Sequence, residues 1–400
     1  MKRRLVIIGG GPAGLSAALE ANRLGIDDIL VVEREADLGG ILNQCIHSGF
    51  GIHEFGEELT GPEYAARFIE EIKQAPIEIW TSASVVALRP NKQLTVLRHA
   101  ELIELEAEAV ILAMGCRERT AGAISLLGER PSGMYLAGAA QKMINLEGLK
   151  LGKTALIYGS GDIGLIMARR LSLEGVEVKG VVEINPVSSG LQRNIAQCLN
   201  DFDIPLFLNT RIKQVLGREH LEGVIIEDLV TAEERLIECD MLLLSVGLIP
   251  ENDLVQSFLP IDGSGKIVVD EDRESLQTGF FACGNVLHVH DIVDDVSEEA
   301  RLAARGAKHY LVGLTKTERY KVIQGQEVLS LIPQRYVGHS LFEVYLRSKK
   351  SLRKATIQLF QGDTLILEKK VPILIPSQLY RLKIPEGIKL EGDITVEIKP

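Results

Sequence analysis

RLVIIGGGPAG, residues 4–14, is an apolar run that stops at three successive glycines, with a fourth after two more residues. A short, continuous apolar run bounded by glycine reads as a strand buried on both faces. The Ala- and Leu-rich stretch that follows, to about Leu24, reads as a helix. A second strand, residues 29–32, ends at Glu33. Strand, glycine turn, helix and strand make a compact parallel unit. The glycines have separate tasks. Gly9 makes the tight turn, Gly11 lets a ligand approach the backbone, and Gly14 allows helix and strand to touch. The helix start then aims free N–H groups at a diphosphate. Glu33 lies 19 residues past Gly14, where a carboxylate meets ribose hydroxyls.

The pattern returns about 150 residues later. Residues 154–158 form a strand, Gly159, Gly161 and Gly164 repeat the glycine spacing, and a helix runs to about Leu173. Residues 178–182 form a strand ending at Glu183, again 19 residues past the last glycine. A period this long marks two nucleotide-binding units rather than a solenoid. AVILAMG (109–115) and DMLLLSVG (240–247) are buried strands ending in Gly; the first reads as the exit from one domain and the second as the return to it. FFACGN (280–285) is a third such strand, followed by a helix expected from about Ser297 to Leu311, with Ser297 as its N-cap.

The expected fold class is therefore α/β: two Rossmann-like three-layer dinucleotide-binding domains, the second inserted in the first, plus a small all-β C-terminal domain. The expected boundaries are 1–118 with 246–313, then 119–245, then 314–400. The last domain is read from alternation in LFEVYLR (341–347), ATIQLF (355–360), TLILEKKV (364–371) and ITVEIK (394–399), with a hairpin turn at Gln361-Gly362-Asp363. Pro372, Pro376 and Pro385 are expected to break the remainder into short pieces, and the whole reads as a small sandwich.

The 400 residues carry 44 Lys and Arg against 55 Asp and Glu, a formal charge of −11. Such a chain does not attract nucleic acid or anionic membranes as a whole. From Lys316 to Lys399, however, 15 Lys and Arg face 9 Asp and Glu. That basic tail reads either as a docking surface or as a solvated β-surface. No apolar stretch reaches the ~18 residues of a membrane span. Cys45, Cys116, Cys198, Cys239 and Cys283 are scattered and include no CxxC. They suit neither a disulfide framework nor a metal cluster, and point to a reducing, cytoplasmic setting.

Two dinucleotide sites on one chain suit a flavin that exchanges hydride with a nicotinamide. Glu183, followed by Ile184, Asn185 and Pro186 with no adjacent Arg, disfavours a 2′-phosphate, and Asp162 within the glycine loop points the same way; NADH is expected. Over residues 1–313 the chain resembles the FAD-dependent pyridine nucleotide-disulfide oxidoreductase superfamily. The resemblance implies FAD on Gly9, Gly11, Pro12, Ala13, Gly14, Glu33, Arg34, Gly40, Val85, Gly115, Gly284 and Asn285. It implies NAD(H) on Gly159, Gly161, Asp162, Ile163, Gly164, Glu183 and Gly247. Asn285 stands where the family usually has an Asp that holds the flavin ribityl chain. The helix after it is expected to aim its positive end at the flavin.

The redox cysteines of that superfamily are missing. Residues 39–47 read GGILNQCIH, so Leu42 and His47 occupy the two Cys positions of the glutathione type, and the second unit lacks CxxC. Dithiol exchange is excluded by either route. Cys45 and His47 remain as candidate catalytic residues in a Gly-rich loop that also carries His53. Cys45 is either a reactive thiolate or a small buried side chain. His288, His290 and Asp291 could bind metal, but with no further ligand in view none is expected. Arg117 and Arg119 suit either a cofactor phosphate or the surface.

The strings GGILNQCIHSGFG, LIYGSGDIGLIMARRL and FACGNVLHVHD also resemble FAD/NAD-binding subunits of glycerol-3-phosphate dehydrogenase-like and of opine or proline dehydrogenase-type complexes. That implies an electron-transfer subunit working with a second flavoprotein dehydrogenase; homo-oligomers fit as well. A self-contained NADH oxidase or peroxidase using Cys45 is the alternative, and a non-enzymatic flavin-bearing scaffold the third reading.

Overall fold

Strand Glu101–Leu112 shows how the first sheet is built. From Ile103 to Glu108 burial alternates, and Ala109 to Leu112 are all buried. The alternating part pairs antiparallel with Gln93–Arg98. The continuous part pairs parallel with β1 (Lys2–Ile8) on one side and with Phe280–Ala282 on the other. A half-solvated antiparallel strand and a strand covered on both faces require these two sequence patterns. Beyond β1 lie β2 (Ile29–Val32) and Ile77–Trp80, both parallel. Helix α1 (Pro12–Arg23) follows the first glycine turn, and α2 (Gly61–Ile72) begins with a capping box between Thr60 and Glu63.

The computed structural model describes residues 1–314, 319–337, 342–385, 388 and 390–400. They divide into two units, Met1–Cys116 with Pro250–Pro400, and Arg117–Ile249. The stretch 119–245 anticipated for the inserted domain lies within the second. That unit holds a five-stranded parallel sheet in the order Met134–Leu136, Met241–Leu244, β3 (Thr154–Tyr158), β4 (Glu177–Val182) and Leu206–Phe207. Helix α3 (Asp162–Leu173) joins β3 to β4. An antiparallel sheet of Thr210–Leu216, Gly223–Asp228 and Glu234–Glu238 completes it.

In the first unit, α4 (Val293–Leu311) packs on α1 through Ala300, Ala303, Ala304 and Ala307, a buried stripe at helical spacing. The sequence reading started this helix at Ser297, and the structure corrects it. Asp294 and Asp295 fill an earlier first turn, where acids favour the positive helix end. Ser297 is not an N-cap: it is buried within the helix, its Oγ 2.7 Å from the Tyr64 hydroxyl.

Residues 319–400 build two sheets around one apolar core. One orders Arg335–Tyr336, Tyr320–Gln324, Ile394–Lys399, Leu352–Gln361 and Thr364–Leu374; the other orders Val328–Ile332, Glu343–Ser348 and Tyr380–Lys383. The expected hairpin is present, with Gln361 paired to Thr364 across Gly362 and Asp363. Leu341, the start of an expected strand, lies outside the described residues. Pro372 does not break its strand, because Thr364–Leu374 is a sheet edge and a missing N–H costs no ladder bond there. The basic tail docks onto its own chain. Arg319 lies 2.6 Å from Glu274, Arg347 2.6 Å from Asp291, and Arg381 2.9 Å from Glu298 and in contact with Asp295.

Candidate functional site

Each glycine turn is shaped by backbone contact. Gly9 and Gly159 have φ of +110° and +103°, which side-chain-bearing residues avoid. A Cβ on Gly9 would stand 2.4 Å from the Ala113 carbonyl oxygen, and one on Gly159 2.0 Å from that of Ser245. A Cβ on Gly14 would fall 1.8 Å from the Gly9 oxygen, and one on Gly164 2.4 Å from the Gly159 oxygen. Gly11 and Gly161 are the N-caps of α1 and α3, and neither helix has a side-chain cap. The first N–H groups of both helices are therefore presented to a ligand.

The acids lie where the spacing put them. Glu33 is buried and accepts from the Gly10 amide at 2.6 Å and the Glu35 amide at 2.8 Å. Each oxygen keeps a lone pair for a ribose hydroxyl. Glu183 is also buried but accepts four bonds, from the Ser160 amide (3.1 Å) and hydroxyl (2.5 Å) and from the Asn185 amide (2.9 Å) and side chain (2.7 Å). Arg34, next to Glu33, is exposed.

A return loop closes each cradle. The Gly39 amide donates to the Gly10 carbonyl at 2.9 Å, and a Cβ on Gly40 would come 3.0 Å from the Gly11 Cα. In the second unit the Ser189 amide donates to the Ser160 hydroxyl (3.1 Å), and the Ser188 hydroxyl to the Ser160 carbonyl (3.1 Å). Asp162 Oδ1 accepts from the Leu191 amide at 2.8 Å and the Asn194 side chain at 2.7 Å. Repeating the sequence comparison from Glu33 to Gly40 against Glu183 to Gly190 would have exposed this loop, since Gly40 and Gly190 keep the spacing of the earlier glycines.

Ala13 sits beneath Gly284, whose added Cβ would lie 2.8 Å from the Ala13 Cβ. The Gly284 amide donates to Glu299 at 2.9 Å, and Asn285 Oδ1 accepts from the His290 amide at 3.0 Å. Val85 lies on Ala83–Leu88, beside the Ala83 amide that donates to the Glu33 carbonyl at 2.9 Å. Gly115 has φ of +74° and accepts from the Glu251 amide. In the second unit, Ile163 occupies the first turn of α3, and Gly247 accepts from the Arg119 amide at 2.9 Å.

Glu299 is the residue the sequence reading missed. Glu299, and not Asp291, joins His288 and His290, the ligand atoms all within 4.8 Å, while Asp291 pairs with Arg347 at 2.6 Å. Glu299 lies 11 residues from His288 and only the fold joins them. Arg273, as buried as Glu299, donates to its carboxylate at 2.9 Å, and His288 lies 3.0 Å from the same oxygen. A guanidinium already stands where a metal would neutralise that carboxylate. Burial and the neighbouring His288 push His290 down to about 3, so it is neutral.

Loop 40–53 is anchored at both ends. Gly40–Gln44 forms a short 3-10 turn. Cys45 sits against the first residue of α2, its carbonyl accepting from the Gly61 amide and its thiol 3.3 Å from the Ile41 carbonyl. Burial pushes that thiol up to about 12. His47 Nδ1 is 3.1 Å from the Ser48 carbonyl and its ring lies against Phe50. Asp294, in the first turn of α4, accepts from the Gly51 and His53 amides at 3.2 and 2.8 Å.

Residues 3–307 match the family model described as pyridine nucleotide-disulphide oxidoreductase. The chain belongs to that family. An alkyl hydroperoxide reductase component of Staphylococcus aureus, itself named as one of that enzyme's subunits, is 27% identical over 289 residues, covering 70% of this chain and 54% of that one. The chain thus spans about half the length of the curated relatives it matches. Thioredoxin reductase of T. acidophilum superposes with a TM-score of 0.66 at 23% identity, covering 78% of this chain and 99% of that one. The NAD-dependent persulfide reductase of A. fulgidus gives 0.61 at 19%, covering 90% and 67%. The shared fold is the two-unit dinucleotide-binding architecture. Cys198, Cys239 and Cys283 are buried, and Cys45 and Cys116 are half-buried. Among the described residues no helix is long and apolar enough to cross a membrane.

Proposed function

We propose that the first cradle holds FAD, that the second holds NADH, and that the chain passes electrons between NADH and a separate acceptor protein without a dithiol relay. The fit to FAD rests on the slot between Gly11 and Gly40, two bare Cα atoms that any side chain would fill, facing the uncapped start of α1. The spare acceptor capacity of Glu33 supports a ribose contact, and Asn285, whose Oδ1 accepts from the His290 amide, has an amide nitrogen to offer the flavin chain. When bound, FAD supplies hydride exchange with NADH and release of electrons singly or in pairs. The residues bind and orient. Both glycine turns give backbone N–H groups to a diphosphate, Glu183 sets a like charge against a 2′-phosphate, and Glu299 fixes the Gly284 amide against Ala13.

The observation that carries the acceptor reading is Cys45. It is packed against Gly61, its carbonyl accepting from the Gly61 amide, and burial pushes its thiol up to about 12. Neither dithiol exchange nor thiolate peroxide chemistry has support at such a residue. A relative named as one component of a reductase supports a two-component arrangement. The partner we favour is a second flavoprotein dehydrogenase of the glycerol-3-phosphate or amine/amino-acid type, as the three sequence strings imply. The scattered cysteines, with no CxxC among them, favour a reducing cytoplasm.

Anaerobic titration with NADH tests the reading. The yellow protein should bleach with one equivalent, Cys45→Ser should bleach equally, and a flavoprotein dehydrogenase should co-purify from the source cell. Rapid peroxide-dependent NADH turnover lost in Cys45→Ser would select the self-contained peroxidase instead.

A further inference from the structure

The first turn of α3 differs from that of α1 at one charged position. Where α1 opens with Pro12, α3 opens with Asp162. Its side chain is held in place, Oδ1 accepting from the Leu191 amide at 2.8 Å and from Asn194 Nδ2 at 2.7 Å. Both donors belong to the segment after β4 that closes the cradle. Gly190 lies against it, since a Cβ there would meet the Ser160 carbonyl at 2.8 Å and Asp162 Oδ1 at 3.2 Å. The carboxylate therefore cannot swing away without breaking the return loop. An acid in this turn satisfies the same positive helix end that would otherwise act on a diphosphate alone.

We propose that Asp162 is an affinity-setting residue: it weakens the second cradle for every dinucleotide, so that NAD(H) exchanges as a substrate while FAD stays resident over Pro12. This rests on the second cradle being the NAD(H) site. The first cradle has no counterpart charge, because Pro12 brings neither an acid nor an N–H. The effect is electrostatic and Asp162 is only half-buried, so salt should erode it. Specificity against a 2′-phosphate is left to Glu183; Asp162 acts on the diphosphate common to NADH and NADPH.

Asp162→Asn isolates the charge, because the amide oxygen still accepts from Leu191 and Asn194. NADH binding to the holoprotein is measured by fluorescence titration at low salt and at 0.5 M NaCl, with a thermal melt as a fold control. The expected result is about tenfold tighter binding of both NAD+ and NADH, with the gain shrinking at high salt. Asp162→Ser, which removes the charge but keeps a hydroxyl oxygen to accept from the return loop, should tighten binding in the same direction. A dissociation constant within twofold of wild type in both variants, at unchanged melting temperature, overturns the proposal and leaves the site assignment standing. Wild-type protein that binds no NADH overturns the site assignment and this proposal with it.

Discussion

The two cradles are one design written twice, with Gly9, Gly11, Gly14, Glu33 and Gly40 answered by Gly159, Gly161, Gly164, Glu183 and Gly190 at a constant offset. Their differences lie in the polar groups added to that frame. The first turn carries Gly10 and Pro12 and leaves Glu33 with spare acceptor capacity. The second carries Ser160 and Asp162 and spends Glu183 on four protein donors. A glycine frame fixes where a diphosphate goes; the side chains around it set how tightly and with which ribose. The first cradle also has a buried ionic cluster beneath it, Glu299 with Arg273, His288 and His290, whose carboxylate holds Gly284 against Ala13.

The hardest way to break the comparison is at the last glycine of each turn. Ala is normally the better helix residue by ~1 kcal/mol, so any loss in Gly14→Ala or Gly164→Ala is steric. The Cβ at Gly14 is blocked at 1.8 Å and that at Gly164 at 2.4 Å. Gly14→Ala should purify colourless, with at least 100-fold weaker flavin retention. Gly164→Ala should stay yellow and lose NADH bleaching by a similar factor. Absorbance at the flavin band and anaerobic titration read the two separately, and equal effects on both cofactors would deny that the cradles are independent.

Acid should act on the first unit in particular. The folded pKa of His290 is depressed to about 3 from an ordinary 6.5, so the unfolded chain takes up the proton first as pH falls. The stability contribution is present above 6.5 and is lost from there towards 3, at up to about 1.4 kcal/mol per pH unit. Glu299, also held below its ordinary range by the two histidines and Arg273 although burial opposes this, adds loss below 4.5. Urea unfolding at pH 7 and pH 5 should show the drop together with flavin release, and His290→Asn should flatten it. A stability unchanged between those pH values would remove the cluster from the account.

The smallest effect concerns the ribose. Glu183→Gln should lower the ratio of kcat/KM for NADH over NADPH by about tenfold, about 1.4 kcal/mol. Glu33→Gln should leave that ratio unchanged. If both variants moved it alike, the acids would be acting on folding alone.

Much of this was legible in the chain because it is written in local periodicity. Both glycine turns, both acids and the buried run that ends at Gly115 follow from spacing and continuous apolar stretches. The return loop is equally local but less regular, because the Ser189 amide donates to the Ser160 hydroxyl where the Gly39 amide donates to the Gly10 carbonyl. The cluster under Gly284 was not legible, since Arg273, His288 and Glu299 meet only once Phe280–Ala282 and α4 are folded against each other. Ser297 misled for the related reason that a good capping residue was needed inside the core, against Tyr64. The basic tail was visible as composition, while its acidic partners Glu274, Asp291, Asp295 and Glu298 were set by topology.

The central claim is that one polypeptide carries two non-equivalent dinucleotide sites. Its most direct measurement is a cross-competition count: exhaustive dialysis, heat release and chromatography of the bound nucleotide, then calorimetric titration of the undenatured holoprotein with NADH in the presence and absence of excess FAD. The account predicts one FAD per chain surviving dialysis and one NADH site that excess FAD does not displace. A chain that retains no flavin, or an NADH site that FAD empties, would contradict it.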